Sequence, residues 1–147
     1  MNKDNQSYIL MIVFTIIFLV VLIFGYIFLD RERIFYNGVY IAKTPFKDEF
    51  GHETYQLIRF YLNGDVGIYR IGKKYEEKDL TELVQIDKPY STTIYKNKEK
   101  ISFNIKDKTT DITFNGIIKG KELKMEIHYN MLGTSRKTML QFVELDI

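Results

Sequence analysis

Few residues in this chain have the types and spacing that support chemistry. The densest polar group is Asp48-Glu49-Phe50-Gly51-His52-Glu53, in the loop between the first two expected strands. Carboxylates beside one imidazole suit hard or borderline metal ions. Neither a His-x-x-x-His spacing nor an EF-hand register is present, however, and an exposed turn has the same composition. No metal is expected. His128 alternates with Met125 and Ile127 and so falls on the wet side of its strand. The chain has no cysteine, which removes disulfides, thiolate metal sites, a thiol nucleophile and a cysteine-linked lipid anchor together. No Gly-x-Ser-x-Gly elbow occurs, and Ser91-Thr92-Thr93 reads as ordinary strand polarity. Acidic residues are plentiful enough to leave a carboxylate-pair hydrolase open, because sequence does not give their separation. Without a nucleophile or metal motif the expectation is a non-enzymatic protein with no cofactor.

Two arginines call for a different comparison, since Arg59 and Arg70 each sit among apolar residues in hairpin-paired strands. Pointing inward, either guanidinium would bind a carboxylate head group at a pocket floor. Pointing outward, both would lie over Tyr61 or Tyr69 with their charges in water. The second arrangement is favoured because buried arginine is rare without a partner. Tyr55, Tyr61, Tyr69, Tyr95 and Tyr129 line a cavity or contact patch, or else pack the core. The candidate ligand-binding set is Arg59, Tyr61, Tyr69, Arg70, Phe103, Phe114 and Tyr129.

These side chains are carried by β structure. Ile101, Phe103 and Ile105 alternate with Ser102, Asn104 and Lys106; Ile112, Phe114, Gly116 and Ile118 alternate with Asp111, Thr113 and Asn115; Leu123, Met125, Ile127 and Tyr129 alternate with Lys124, Glu126 and His128. A period of two with one apolar face is the mark of antiparallel strands wet on one side. Asn63-Gly64-Asp65 predicts a type I′ hairpin between Tyr55–Leu62 and Val66–Ile71. Asp107-Lys108-Thr109 and Lys119-Gly120-Lys121 supply later turns. Consecutive hairpins make a meander, expected to have about eight strands from Gly38–Ala42 to Thr138–Leu145 at the spacing of a closed sheet or a sandwich. Between the third and fourth strands, Leu80, Leu83 and Val84 at helical spacing, after Glu76, Glu77, Lys78 and Asp79, predict a short amphipathic helix or lid over Tyr75–Val84. Pro89 marks the return to strand.

The order of elements resembles the lipocalin-like family of small β-barrels, in particular compact bacterial envelope members. The resemblance rests on Gly38-Val39-Tyr40 at the first strand, similar to that family's Gly-x-Trp signature, and on the Leu57–Asp65 hairpin; it covers residues 37–147. Tyr40 stands where the family has Trp, and its basic partner would be Arg136 or Lys137. The resemblance implies an eight-stranded barrel whose interior receives one small apolar ligand or is filled by its own side chains.

Ahead of this domain, no charged residue occurs from Asn5 to Leu29, and Tyr8–Leu29 is almost wholly apolar. About 20 such residues cross the hydrocarbon layer as a helix. Asp30-Arg31-Glu32-Arg33 forms a polar stop, and the run is too long, with no small-residue cleavage site, for a removable leader. The expected organisation is an N-terminal tail over 1–7, a transmembrane helix over 8–29, a linker over 30–36 and a β domain over 37–147. Lys3 with the terminal amine nearly balances Arg31 and Arg33. The short N-terminal tail favours a signal anchor at the cell membrane with the domain outside the cytoplasm. Lys+Arg 21 against Asp+Glu 19, with the charges interspersed, argues against nucleic acid. The expected function is a membrane-anchored binding module for a small hydrophobic ligand or a membrane-proximal protein. The alternative is an interaction protein with a filled barrel, either an accessory subunit of a membrane complex or an immunity or inhibitor protein; an envelope hydrolase is the least favoured reading.

Overall fold

The computed structural model describes residues 3–31, 33–48, 50–72, 77–86 and 88–146, with backbone alone at 3–10, 28–31, 77–78 and 86. Glu49 and Glu76, and the side chains of Tyr8, Glu77 and Lys78, to which expectations attached, lie outside the described residues. The chain separates into two compact units, Met1–Arg31 and Glu32–Ile147.

The first unit is one helix, α1 (Lys3–Arg31). It extends beyond the expected 8–29 at both ends, taking in most of the tail. From Met11 to Ile27 the described side chains are exposed. Among the described residues no helix is long and apolar enough to cross a membrane. Thr15, a hydroxyl in this apolar run, donates to the Met11 carbonyl oxygen at 2.8 Å and so meets its hydrogen-bonding need within the helix.

The second unit is a single antiparallel sheet of nine strands and one helix: β1 (Gly38–Ala42), β2 (Phe46–Lys47), β3 (Glu53–Phe60), β4 (Val66–Gly72), α2 (Glu77–Ile86), β5 (Tyr95–Asn97), β6 (Lys100–Lys106), β7 (Asp111–Lys119), β8 (Glu122–Tyr129) and β9 (Thr134–Glu144). Strand order is β2-β3-β1-β9-β8-β7-β6-β5, with β4 also paired to β3. The expected barrel does not close. Among the described residues no ladder joins β4 to β5; an isolated Val66–Tyr90 bridge follows β4, and the Thr92 hydroxyl donates to the Asn104 carbonyl oxygen at 2.6 Å. Ser91-Thr92-Thr93, expected in a strand, therefore belongs to this irregular connection.

The sheet curls around its main core. The inward row Phe103–Phe114–Ile127–Arg136 crosses β6 to β9, and Ile68–Ile58–Tyr40–Phe142 crosses β4, β3, β1 and β9. Phe103 and Phe114 stack at 4.6 Å, Phe60 meets Phe103 edge-on at 5.8 Å, and Tyr40 packs on Phe60 and Phe142. The segment before β1 plugs one end of this core with Ile34, Phe35 and Tyr36.

A second core lies on the opposite face, where Leu80 and Val84 of α2 cover Val39, Ile41, Leu57 and Tyr69. This corrects the expectation of one dry and one wet face throughout: β1 is buried on both sides because α2 roofs it. The alternation holds in β6, β7 and β8, which α2 does not cover. The Asn63-Gly64 turn also differs from the expected type I′, which needs positive φ at both central residues. Only Gly64 is left-handed (φ 91°), Tyr61 N–H donates to the Asp65 carbonyl at 3.0 Å, and Gly64 N–H donates to the Tyr61 carbonyl at 3.0 Å. The loop is therefore Leu62-Asn63-Gly64, a turn followed by a glycine bulge.

Candidate functional site

The expected ligand set separates into three places. Phe103 and Phe114 are buried in the main core, stacked on one another. Arg59, Tyr61 and Tyr69 lie on the outer face by α2: the Arg59 guanidinium stacks 4.6 Å over the Tyr61 ring, and the Tyr61 and Tyr69 hydroxyls share a 2.7 Å hydrogen bond. Tyr61 Oη also donates to the Val84 carbonyl at 3.4 Å, so these rings serve helix packing. Arg59 thus follows the outward arrangement expected of it.

Arg70 and Tyr129 belong to the inward face. Arg70 pairs with Gln56 across β3 and β4, and Tyr129 with Ile112 across β7 and β8. They meet Arg136, which was not among the expected ligand-binding residues. The Arg136 guanidinium lies 4.0 Å over the Phe46 ring and donates through an Nη to Gln56 Oε1, while Arg70 lies 5.5 Å over the same ring. Gln56 is buried at 4% exposure. Burial holds the Arg136 pKa below the usual guanidinium value; Tyr129 acts in the opposite sense, and Arg70 adds to the lowering. Arg136 was expected to serve Tyr40, as was Lys137. Instead, Tyr40 Oη accepts from Phe35 N–H at 3.1 Å, and Lys137 pairs with Glu126 at 3.8 Å. The missed signal was parity: Arg136 shares the inward register with Thr138, Leu140 and Phe142, in a strand that begins at Thr134 rather than Thr138.

The acidic loop is structural. Asp48 Oδ1 accepts from Phe50 N–H and His52 N–H at 2.9 and 2.8 Å, while the His52 side chain stands 77% exposed, 3.6 Å from Asp48 Oδ2. Among the described residues no group of three or more potential ligands could hold a metal ion.

A groove of ≈ 930 Å³ lies on the outside of the uncovered half of the sheet. Two adjacent outward rows form its floor: Tyr95–Ser102–Asn115–Glu126–Lys137 and Asn97–Lys100–Ile117–Lys124–Met139. Tyr95, Ile117 and Met139 provide apolar surface. On these rows Lys100, Lys124 and Lys137 accompany the acid Glu126, and Lys96, in register with the inward Ile101, borders the groove from the rim strand. One rim is β5, a three-residue strand at the end of the sheet, whose outer backbone is joined to no other strand among the described residues. No protein family, characterised protein or solved structure matches this chain.

Proposed function

We propose that this protein is a membrane-anchored binding module in which the groove over β5–β9, rather than the barrel interior, receives an extended acidic segment of a partner protein. The groove's composition carries the reading: a concave floor with Tyr95, Ile117 and Met139 among three lysines and one glutamate matches a chain that alternates apolar and acidic side chains. The outer β5 edge offers main-chain groups to such a strand. The interior reading loses support because Tyr40, Phe60, Phe103 and Phe114 fill the curl. A binding rather than catalytic role is supported by the position of the His52 side chain, 77% exposed to solvent beside Asp48.

The membrane part of the proposal rests on α1. Its 29 residues would rise about 43 Å as a helix, enough for the hydrocarbon layer and both interfaces. The single-pass anchor would leave the β unit outside the cytoplasm at the cell membrane. The lipocalin-like likeness enters here as a proposal of kinship for a meander that curls without closing, with its ligand surface displaced to the outside.

A photo-crosslinking side chain replacing Ile117 in the full-length, membrane-inserted chain should join one protein. Lys100→Glu with Lys124→Glu should abolish that product, whereas Lys108→Glu, in the turn after β6, should not. Equal crosslinking from Ile117 and from Thr109 would sink the reading.

A further inference from the structure

We infer that the end of the curled sheet holding Arg70 and Arg136 is an oxyanion site, taking a phosphate or carboxylate group borne on a small apolar body. Arg136 continues the inward row of Phe103, Phe114 and Ile127, a position the other strands fill with apolar side chains. Its guanidinium is oriented by the buried Gln56 and by Phe46, and Arg70 comes to the same ring from β4. Among the described residues neither arginine has a carboxylate within ion-pair distance. Two like charges gathered on one ring repel each other, and partial burial of Arg136 deepens the cost of leaving its charge uncompensated, while Arg70 reaches the ring from the exposed side. An anion entering from outside removes that cost and gains charge-assisted hydrogen bonds from donors already fixed in direction. Beyond the Gln56 bond, no other donor of Arg136 is engaged among the described residues, and its Nε is buried without a partner. Apolar surface beside the arginines comes from Phe46 and Tyr129. At the other end of the core, Ile34, Phe35 and Tyr36 close the curl, so this end is the one left for a ligand.

The test uses the full chain in nanodiscs of zwitterionic lipid at low salt, titrated with inorganic phosphate and with octanoate while the arginine side-chain NMR signals are followed. Saturable binding of at least one probe is expected, weakened about tenfold or more by Arg136→Gln and by Arg70→Gln, and unchanged by Arg59→Gln on the outer face. Without ligand, Arg70→Gln should raise the melting temperature by relieving repulsion. If the site takes a lipid headgroup instead, binding will saturate only in discs containing phosphatidylglycerol and will again be lost in Arg136→Gln. The inference is overturned if neither probe nor anionic lipid binds saturably, if Arg59→Gln weakens binding as much as Arg136→Gln, or if Arg70→Gln lowers the melting temperature and leaves binding intact.

Discussion

Tyr40 is the most informative single residue. It is fully buried, its ring lies 5.6 Å from Phe60 and 5.3 Å from Phe142, and its hydroxyl accepts from Phe35 N–H. Burial pushes its pKa up to about 12 from 10.0, only partly offset by the bond from Phe35. The folded state therefore favours the neutral phenol. Its contribution is complete below pH 10, where the unfolded phenol is also neutral, and is lost as pH rises through 12. At 1.36 kcal/mol per unit, this gap amounts to about 2–3 kcal/mol. The urea midpoint should accordingly fall between pH 10 and 12 in the native chain and fall less in Tyr40→Phe, which at pH 7 is itself less stable by about 1–3 kcal/mol because Phe35 N–H loses its acceptor. Equal alkaline losses in both proteins would refute this account. The position of Tyr40 at the opening of a strand was legible from Gly38-Val39-Tyr40. Its partner was not, because the hydroxyl is met by the backbone N–H of Phe35, five residues upstream in the irregular segment before β1, where no periodic pattern marks a donor, rather than by a basic side chain of β9.

Among the elements, the packing of α2 on the sheet shows how one small residue licenses a contact. Gly67 in β4 lies directly beneath the Tyr69 ring, and a Cβ at that position would stand 2.2 Å from the Tyr69 hydroxyl oxygen. Gly67→Ala must move Tyr69, and with it the Tyr61–Tyr69 hydrogen bond that links β4 to the turn of α2 at Val84. A loss of about 1–3 kcal/mol in unfolding free energy is expected from chemical denaturation, as for overpacking elsewhere. A second signature would be faster amide exchange in α2. Unchanged stability and exchange would show that Tyr69 has room to rotate away. The helix itself was legible from Leu80, Leu83 and Val84. The surface beneath it was not, since Val39, Ile41 and Leu57 alternate with equally apolar neighbours in strands buried on both sides, where period two carries no information. In β6 to β8, with solvent on one face, the same alternation placed every inward residue correctly.

At the scale of the whole molecule, α1 and the β unit make separable demands. If α1 spans a bilayer, as proposed, the full chain should enter the detergent phase on cloud-point separation. Leu19→Arg with Ile23→Arg should shift it toward the aqueous phase, since each arginine near mid-membrane costs about 2.5–3.5 kcal/mol on insertion scales. Retention of the double variant in detergent would remove the helix as the cause. The strand-forming segments and the apolar N-terminal run were determined by the sequence alone, because hydrophobic period and length act locally and survive without knowledge of neighbours. So were the absence of thiol chemistry and the mixed surface charge. The tertiary structure alone decided that the sheet curls without closing, that α2 roofs one half and leaves the other as a groove, and that Arg70 and Arg136 reach one phenylalanine ring from strands far apart in the chain. Such meetings depend on strand order and register, which arise from many weak contacts at long sequence separation and leave no local pattern to read.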